Sequence, residues 1–255
     1  MSQLSNKFLG KMMSIFLAEF FGTFLLVLLG NGVTANAILP GTKGENGGWI
    51  VITAGWAFAV IFGIYLIGSI SGAHMNPAIT LAFLLANKIA LTNVPYYLAG
   101  EFLGAFAGSF LVFLIYKNHF FSTSKDPKFK LMSFCTSPTH STKWINFLAE
   151  VVGTFVLVIS VFAILDPMNQ LDSGLHALLI GLVVFSIGLS LGGTTGYAIN
   201  PARDLAPRLM HQLIQYPDKS DSEWSYAWIP LFGPLVGSVL GTFVYFRCIE
   251  ALLGV

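Results

Sequence analysis

The chain alternates long apolar runs with shorter polar segments. The apolar runs cover residues 12–35, 50–70, 95–117, 144–165, 174–192 and 227–249. A helix that crosses the hydrocarbon core of a bilayer needs about 20 apolar residues, and each run comes close to or exceeds that length. The longest polar segment, 118–143, is rich in lysine and predicts a surface loop. The pattern therefore predicts six transmembrane helices joined by loops.

Two further stretches that are predicted to be helical, 77–87 and 201–212, are only about half as long. Each begins with the same tripeptide, and the six residues are Asn76, Pro77, Ala78, Asn200, Pro201 and Ala202. Asparagine is favoured as the residue that caps the start of a helix, and proline is favoured immediately after it. We therefore predict two half-length helices that begin at depth in the membrane.

The two halves of the chain repeat each other. Residues 19–28 and 150–159 share six of ten residues, including the pattern Glu-x-x-Gly-Thr-Phe. Each half reads as span, span, half-helix, span. Because three full spans reverse the side of the membrane, the second half must be inverted relative to the first. The prediction is one all-α membrane domain over 1–255, with a first repeat at about 12–117, a connecting loop at 118–143 and a second repeat at about 144–250.

Composition agrees with a membrane protein and excludes several function classes. Hydrophobic residues make up 55% of the chain, charged residues 10%, and the mean hydropathy is +0.74. The net charge is only +1, whereas a nucleic-acid-binding protein carries an excess of positive charge. Two cysteines, Cys135 and Cys248, have no metal-ligand spacing, and no cluster of a nucleophile with a base is apparent. We expect no enzyme activity, no metal and no cofactor.

An inverted repeat with two Asn-Pro-Ala half-helices resembles the major intrinsic protein family, which comprises the aquaporins and the glycerol facilitators. The resemblance covers about residues 12–250 and implies the aquaporin-like fold of six spans and two re-entrant half-helices. Within the family, the run Asn200 to Asp204 resembles the glycerol-conducting branch, as do Arg208 and the pair Pro230-Leu231.

The resemblance also implies a selectivity filter of four residues, which are Trp56, Gly188, Tyr197 and Arg203. Trp56 and Tyr197 offer an apolar corner for a carbon chain. Arg203 offers a planar fork of donors that can hold two adjacent hydroxyls. Gly188 stands where water-selective members carry histidine, so we expect it to leave width, with its carbonyl free to accept from the solute. Tyr197 stands where some glycerol channels have phenylalanine, and its hydroxyl is expected to add a polar atom and to narrow the filter slightly.

Extended backbone precedes each half-helix and can present a ladder of carbonyls to a solute, because irregular backbone at membrane depth is tolerated where it lines a cavity. The predicted carbonyls belong to Gly72, Ala73, His74, Met75, Gly196, Tyr197, Ala198 and Ile199. The amides of Asn76 and Asn200 are expected to donate into the lumen.

Buried acidic residues leave alternatives open. Glu19 and Glu150 occupy matching positions and are predicted to hold the N–H groups of the extended stretches, with a proton relay as the alternative. Asp204 is expected to fix local structure at the start of its half-helix. Glu101 has no acidic counterpart in the second half, and its role stays open.

These expectations combine into a passive channel for glycerol and similar small uncharged solutes, with some water, that excludes ions and protons. The alternatives are a water-selective pore and a proton-coupled transporter that uses Glu19, Glu101 or Glu150. The resemblance implies a homotetramer in the plasma or inner membrane with cytoplasmic termini. That orientation runs against positive-inside counting, since seven lysines would then lie outside: Lys43, Lys117, Lys125, Lys128, Lys130, Lys143 and Lys219.

Overall fold

A computed structural model describes residues 2–123 and 126–249, and all regular secondary structure in these ranges is helical. Ten α-helices follow in order: α1 Ser2–Ile38, α2 Trp49–Ser71, α3 Pro77–Leu85, α4 Val94–Ile115, α5 Lys117–Phe121, α6 Lys128–Met132, α7 Lys143–Ile164, α8 Ser173–Leu191, α9 Pro201–Leu213 and α10 Trp228–Val244. Single 3₁₀ turns at Leu91–Asn93 and Pro167–Asn169 and a π-helical turn at Tyr245–Ile249 complete the secondary structure.

The predicted spans match six of these helices, each long and apolar enough to cross a membrane. The first helix begins at Ser2, about ten residues earlier than predicted, and the last α-helix ends at Val244. The two half-helices, α3 and α9, have 9 and 13 residues. Of the predicted features, Met1, Lys125 and residues 250–255 lie outside the described residues.

Matching helix pairs form the frame of each half. Helix α1 packs against α4, and α7 packs against α10. Glycines allow the close approach, because a Cβ atom at Gly104 would lie 2.2 Å from the carbonyl oxygen of Phe20, and one at Gly237 would lie 2.3 Å from that of Val151. Small residues at helix contacts are typical of packing within a bilayer. The glycines every four residues in α4 and α10 therefore serve packing, as the repeat predicts.

The two half-helices lock the repeats together. Helix α3 of the first half packs against α10 of the second, and α9 of the second half packs against α4 of the first. The hydroxyl of Ser238 in α10 donates to the carbonyl oxygen of Ala78 in α3 at 2.6 Å. Neither half can therefore bury its half-helix without the other.

The connecting segment between the repeats is more than a surface loop. Helices α5 and α6 pack Phe120 and Leu131 into a cluster with Tyr216, which follows α9. Lys130, predicted to lie at the surface, is fully buried, and its Nζ donates to the carbonyl oxygen of Pro217 at 2.8 Å. Burial away from water lowers the pKa of Lys130. The segment is thus attached to the end of the second half-helix.

Candidate functional site

Glu19 supports the extended stretch that precedes α3. Its Oε1 accepts from the backbone N–H of His74 at 3.0 Å, and its Oε2 accepts from that of Met75 at 2.6 Å. The hydroxyl of Ser71 also donates to Oε1 at 2.6 Å and accepts from the N–H of Ala73 at 3.1 Å. One buried carboxylate therefore satisfies, directly or through Ser71, the consecutive donors at 73, 74 and 75.

Glu150 repeats this arrangement before α9. Its Oε1 accepts from the N–H of Ala198 at 3.0 Å, and its Oε2 accepts from that of Ile199 at 2.8 Å. The hydroxyl of Thr195 donates to Oε1 at 2.7 Å and accepts from the N–H of Tyr197 at 3.2 Å. Ser71 and Thr195 each stand five residues before an Asn-Pro-Ala asparagine. The roles of Ser71 and Thr195 could have been found by comparing the two halves residue by residue. The Asn-Pro-Ala motif alone does not indicate them.

The supported backbone is held in an unusual conformation. Gly72 and Gly196 have φ of 87° and 88°, and four non-glycine residues also have positive φ: Ala73, Met75, Tyr197 and Ile199. Left-handed backbone costs roughly 1–2 kcal/mol at a non-glycine residue, and it persists where the surroundings impose it. The N–H groups of these four residues donate to the glutamates or to the hydroxyls of Ser71 and Thr195, so their carbonyls face other directions.

The two asparagines meet where the half-helices begin. Each caps its own helix, with Asn76 Oδ1 accepting from Ala78 N at 2.9 Å and Asn200 Oδ1 accepting from Ala202 N at 3.0 Å. Each amide nitrogen also donates across the repeat, Asn76 to the carbonyl of Ile199 at 2.8 Å and Asn200 to that of Met75 at 2.7 Å. The N-terminal ends of α3 and α9 are thereby joined, and each amide keeps a second N–H.

A cavity of about 540 Å³ lies within the bundle, and both asparagines line it. Seven of the eight predicted carbonyl residues line it, and Gly196 does not. The carbonyls of Met75 and Ile199 already accept from the asparagine amides. Three of the four predicted filter residues, Trp56, Tyr197 and Arg203, also line the cavity. Apolar side chains complete the wall: Leu26, Val60, Ile64, Ile79, Phe83, Leu157, Val161, Ile180 and Val184.

Arg203 and Trp56 form one wall of the constriction. The guanidinium carbon of Arg203 lies 4.1 Å from the centre of the Trp56 ring, a cation–π arrangement. Trp56 is fixed from behind, since its Nε1 donates to the hydroxyl of Thr34 at 3.2 Å. Arg203 Nη1 is buried and has no hydrogen-bond partner in the described structure. An unused charged donor therefore lies beside an apolar ring.

Gly188 makes room for a neighbouring ring and leaves no open width of its own. A Cβ atom there would lie 2.7 Å from Thr53 Cγ2 and 2.9 Å from Tyr197 Cζ, so the space is already filled. Its carbonyl, expected to accept from the solute, accepts from Trp49 Nε1 at 2.8 Å. The expectation of width at Gly188 was therefore wrong in its detail. Trp49, absent from the family's filter positions, is a contact that sequence reasoning missed.

Asp204 and Arg208 anchor α9 to the connecting segment. Asp204 Oδ1 accepts from Arg208 Nε at 2.9 Å and lies 2.8 Å from its Nη2, with both side chains fully buried. Asp204 Oδ2 accepts from the N–H and the hydroxyl of Thr136, at 2.8 and 2.6 Å. Arg208 in turn donates to the carbonyls of Thr136 and Ser222 at 2.8 and 2.7 Å. Asp204 thus has the structural contacts expected of it.

Glu101 joins a buried polar chain next to the first half-helix. The hydroxyl of Thr80 donates to Glu101 Oε1 at 2.7 Å, and His74 Nδ1 lies 2.9 Å from the same hydroxyl. His74 stacks on Tyr97, with ring centres 4.3 Å apart. Glu101 Oε2 is buried and has no hydrogen-bond partner in the described structure. Within the described ranges no group of three or more histidine, cysteine or acidic side chains is placed to hold a metal ion.

Comparisons with known proteins agree with this geometry. The family profile described as major intrinsic protein matches residues 7–245. A protein of Thermotoga maritima named probable glycerol uptake facilitator protein is 51% identical over 233 residues, which cover 91% of this chain and 98% of that protein. The glycerol uptake facilitator protein of Bacillus subtilis is 44% identical over 233 residues, or 91% of this chain and 84% of that one. The X-ray structure of the aquaglyceroporin from Plasmodium falciparum superposes with a TM-score of 0.84 at 32% identity, covering 95% of this chain and 99% of that chain.

Proposed function

Because the chain belongs to the major intrinsic protein family, we propose that it is a passive transmembrane channel for glycerol and similar small uncharged solutes, with some water. Relatives named glycerol uptake facilitator protein share 43–51% of their residues with it across nine-tenths of the chain. Facilitators are transport proteins, and we propose no catalytic step and no cofactor.

The observation that carries the proposal is the two-sided constriction. A polyol has a carbon edge and a hydroxyl edge, and a passage that accepts it must serve both. Trp56 and Tyr197 supply aromatic surface, and the unpartnered Nη1 of Arg203 supplies a charged donor. Removing water from a hydroxyl without replacing its hydrogen bond costs roughly 1–3 kcal/mol, so the donor lowers the barrier at this point.

Beyond the constriction, the extended stretches continue the supply of polar partners. Residues 72–75 and 197–199 line a cavity whose wall also has many apolar side chains, and we propose that their carbonyls face it. The free N–H groups of Asn76 and Asn200 are the donors at the junction. A solute can therefore exchange one hydrogen bond for the next while its carbon edge stays against hydrocarbon.

The same arrangement disfavours cations. Each half-helix has roughly +0.5 of an elementary charge at its N-terminus, and the two N-termini meet at the asparagine pair. Arg203 adds a positive charge nearby. Both oxygens of Glu19 and of Glu150 accept from loop N–H groups, so neither carboxylate is free to balance a cation. We propose that ions and protons are excluded here.

Two alternatives are tested together with this proposal. A water-selective pore is less supported, because relatives that share 43–51% of their residues with the chain are named glycerol uptake facilitator protein, and residue 188 is glycine where water-selective members carry histidine. A proton-coupled transporter would need a titrating carboxyl in the path. Glu101, with one unpartnered oxygen, is the candidate for that role.

Stopped-flow light scattering on proteoliposomes that contain the purified chain separates the three. We expect glycerol to enter without an ion gradient, linearly with concentration and unaffected by a protonophore. Urea, dihydroxyacetone, undissociated lactic acid and hydrogen peroxide, tested in parallel, rank the solutes. Water flux without glycerol flux would support the water pore, and saturation with protonophore sensitivity would support the transporter.

The assembly and placement of the channel are also proposals. We propose a homotetramer with one pore per subunit, in the plasma or inner membrane, with both termini cytoplasmic. Chemical cross-linking in membranes tests the subunit number. Accessibility of cysteines introduced at exposed positions of the connecting segment, such as Lys128, tests the orientation.

A further inference from the structure

Trp49 is the first residue of α2 and lies on the helix face that also carries Thr53 and the constriction residue Trp56. Positions 49, 53 and 56 are spaced by four and three residues, so their side chains point to one side. Thr53 contacts the space beside Gly188, and Trp56 stacks under Arg203. Trp49 therefore continues the same row by one turn, although it does not line the cavity.

The indole N–H of Trp49 donates to the carbonyl of Gly188 at 2.8 Å. Gly188 lies within the last four residues of α8, where helix carbonyls lack an intrahelical partner. A free carbonyl at this point would be an acceptor at the level of the constriction. Trp49 supplies this carbonyl with a protein partner, whereas the buried side-chain atoms Arg203 Nη1 and Tyr197 Oη have none in the described structure.

Trp49 also packs against the Tyr197 ring and helps to enclose it. That ring lies against the backbone of α8, since a Cβ atom at Gly188 would lie 2.9 Å from Tyr197 Cζ and one at Gly192 would lie 2.4 Å from Tyr197 Cδ1. The rings of Trp49 and Tyr197 meet edge to face, with centres 5.8 Å apart and an angle of 82°. The Tyr197 ring is thus bounded by two glycines on one side and by an indole on another.

We propose that Trp49 is a positioning residue of the constriction, which is anchored to the Gly188 carbonyl and holds the Tyr197 ring against α8. The proposal rests on the proposed channel function and deepens it. Size selection then depends on a residue outside the pore wall, because a Tyr197 ring that can retreat would widen the passage.

The test compares Trp49→Phe with the unchanged protein in proteoliposomes, using water, glycerol and a five-carbon polyol. The variant keeps a ring and loses the N–H. We expect the ratio of glycerol to five-carbon polyol permeability to fall about fivefold, which at 1.4 kcal/mol per tenfold corresponds to about 1 kcal/mol. Water permeability should stay within about twofold, since water is narrower than either polyol.

Two controls make the result specific. Trp144→Phe changes a tryptophan that is 74% exposed and far along the chain from the constriction, and it should leave the ratio unchanged. In a Tyr197→Ala background, Trp49→Phe should have no further effect on the ratio, because residues that act as one unit are not additive.

Three results are decisive. An unchanged ratio in Trp49→Phe overturns the proposal, and so does a parallel fall of water and polyol flux, which would show general support of the pore. An additive effect in the Tyr197→Ala background would show that Trp49 acts by another route and also overturns it. Failure of the unchanged protein to conduct glycerol would instead count against the proposed channel function.

Discussion

The two re-entrant segments share their backbone support and differ in everything around it. In both, a glutamate accepts two loop N–H groups directly and a third through a hydroxyl, and the backbone has the same run of positive φ. The first segment is flanked by the buried chain of His74, Thr80 and Glu101. The second is flanked by the ion pair of Asp204 and Arg208. The support that both halves share shapes the extended backbone along the cavity. The flanking groups, which the halves do not share, are where the two halves differ in structure.

The specialised part explains how Arg203 keeps its charge available. Asp204 is its neighbour in sequence and would be the nearest carboxylate to neutralise it. Both oxygens of Asp204 are already committed, one to Arg208 and the other to Thr136. Arg203 Nη1 is accordingly left without a protein partner. The pairing of Asp204 with Arg208 therefore holds the connecting segment and also keeps the Arg203 guanidinium available at the constriction.

The largest expected effect comes from removing one member of that pair. Arg208→Met leaves Asp204 as an unpaired buried carboxylate, a change that costs roughly 3–5 kcal/mol in other proteins. We expect a loss of that order in the free energy of unfolding in detergent micelles. Glycerol flux should fall as well, because Asp204 then competes for Arg203.

The matched control is Lys128→Met, which removes the ion pair of Lys128 with Glu223 at 3.3 Å. The Lys128 side chain is 53% exposed, so the loss should stay below about 1 kcal/mol. Equal losses in the two variants would show that the buried pair has no special role in the second half.

The next largest effect tests the shared part. Glu19→Gln and Glu150→Gln each replace one acceptor oxygen by a donor that faces a loop N–H. An unsatisfied buried donor costs roughly 1–3 kcal/mol, and we expect this loss of stability in both variants, together with lower glycerol flux. Glu101→Gln is the control, since Glu101 accepts from no N–H of the Glu19- and Glu150-supported stretches and the glutamine oxygen can still accept from Thr80. A loss in only one half would contradict equal support of the two segments.

A smaller effect is expected when a histidine is placed at position 188 and the Tyr197 ring is removed. Gly188→His alone must displace the Tyr197 ring, because a Cβ atom at 188 lies 2.9 Å from Tyr197 Cζ. Gly188→His combined with Tyr197→Ala removes the conflict with the ring, and the Thr53 methyl group, 2.7 Å from that Cβ atom, must still shift. We expect the glycerol-to-water permeability ratio to fall on the order of tenfold, or about 1.4 kcal/mol.

Tyr197→Phe keeps the ring and should change this ratio far less. A histidine variant that conducts glycerol as well as the unchanged protein does would separate residue 188 from solute choice. Stopped-flow measurements of both solutes on the same proteoliposomes give the ratio directly.

Sequence patterns predicted the helices and the repeat because these depend on local and periodic properties. Apolar length set the six spans, and the Asn-Pro start set α3 and α9 to within two residues at each end. The supporting role of Glu19 and Glu150 was predicted because they occupy matching positions in the two halves. Each of these features is determined either by the residues of a single helix or by the repeat of one half of the chain in the other.

The side-chain geometry of the constriction could not be predicted in the same way. Gly188 and Tyr197 are nine residues apart along the chain, but the filling of one position by the ring of the other depends on how the backbone returns from α8. Trp49 and Gly188 are 139 residues apart, and their hydrogen bond has no local signal. Lys130 was likewise predicted at the surface because lysine favours loops, whereas long-range packing of α6 buries it.

The smallest expected effect concerns this lysine, whose hydrogen bond to Pro217 ties the connecting segment to the second half. Its pKa is lowered by burial, so between the folded pKa and the usual value near 10.5 the unfolded chain binds more protons than the folded one. Stability should therefore rise with pH in that window, and the rise should be lost in Lys130→Met. Unfolding free energies measured for both proteins from pH 8 to about pH 10.5 give the two slopes. Because other side chains titrate equally in both proteins, the difference between the slopes belongs to Lys130. Equal slopes would mean that the buried ammonium is as well solvated by Pro217 and its surroundings as it is in water.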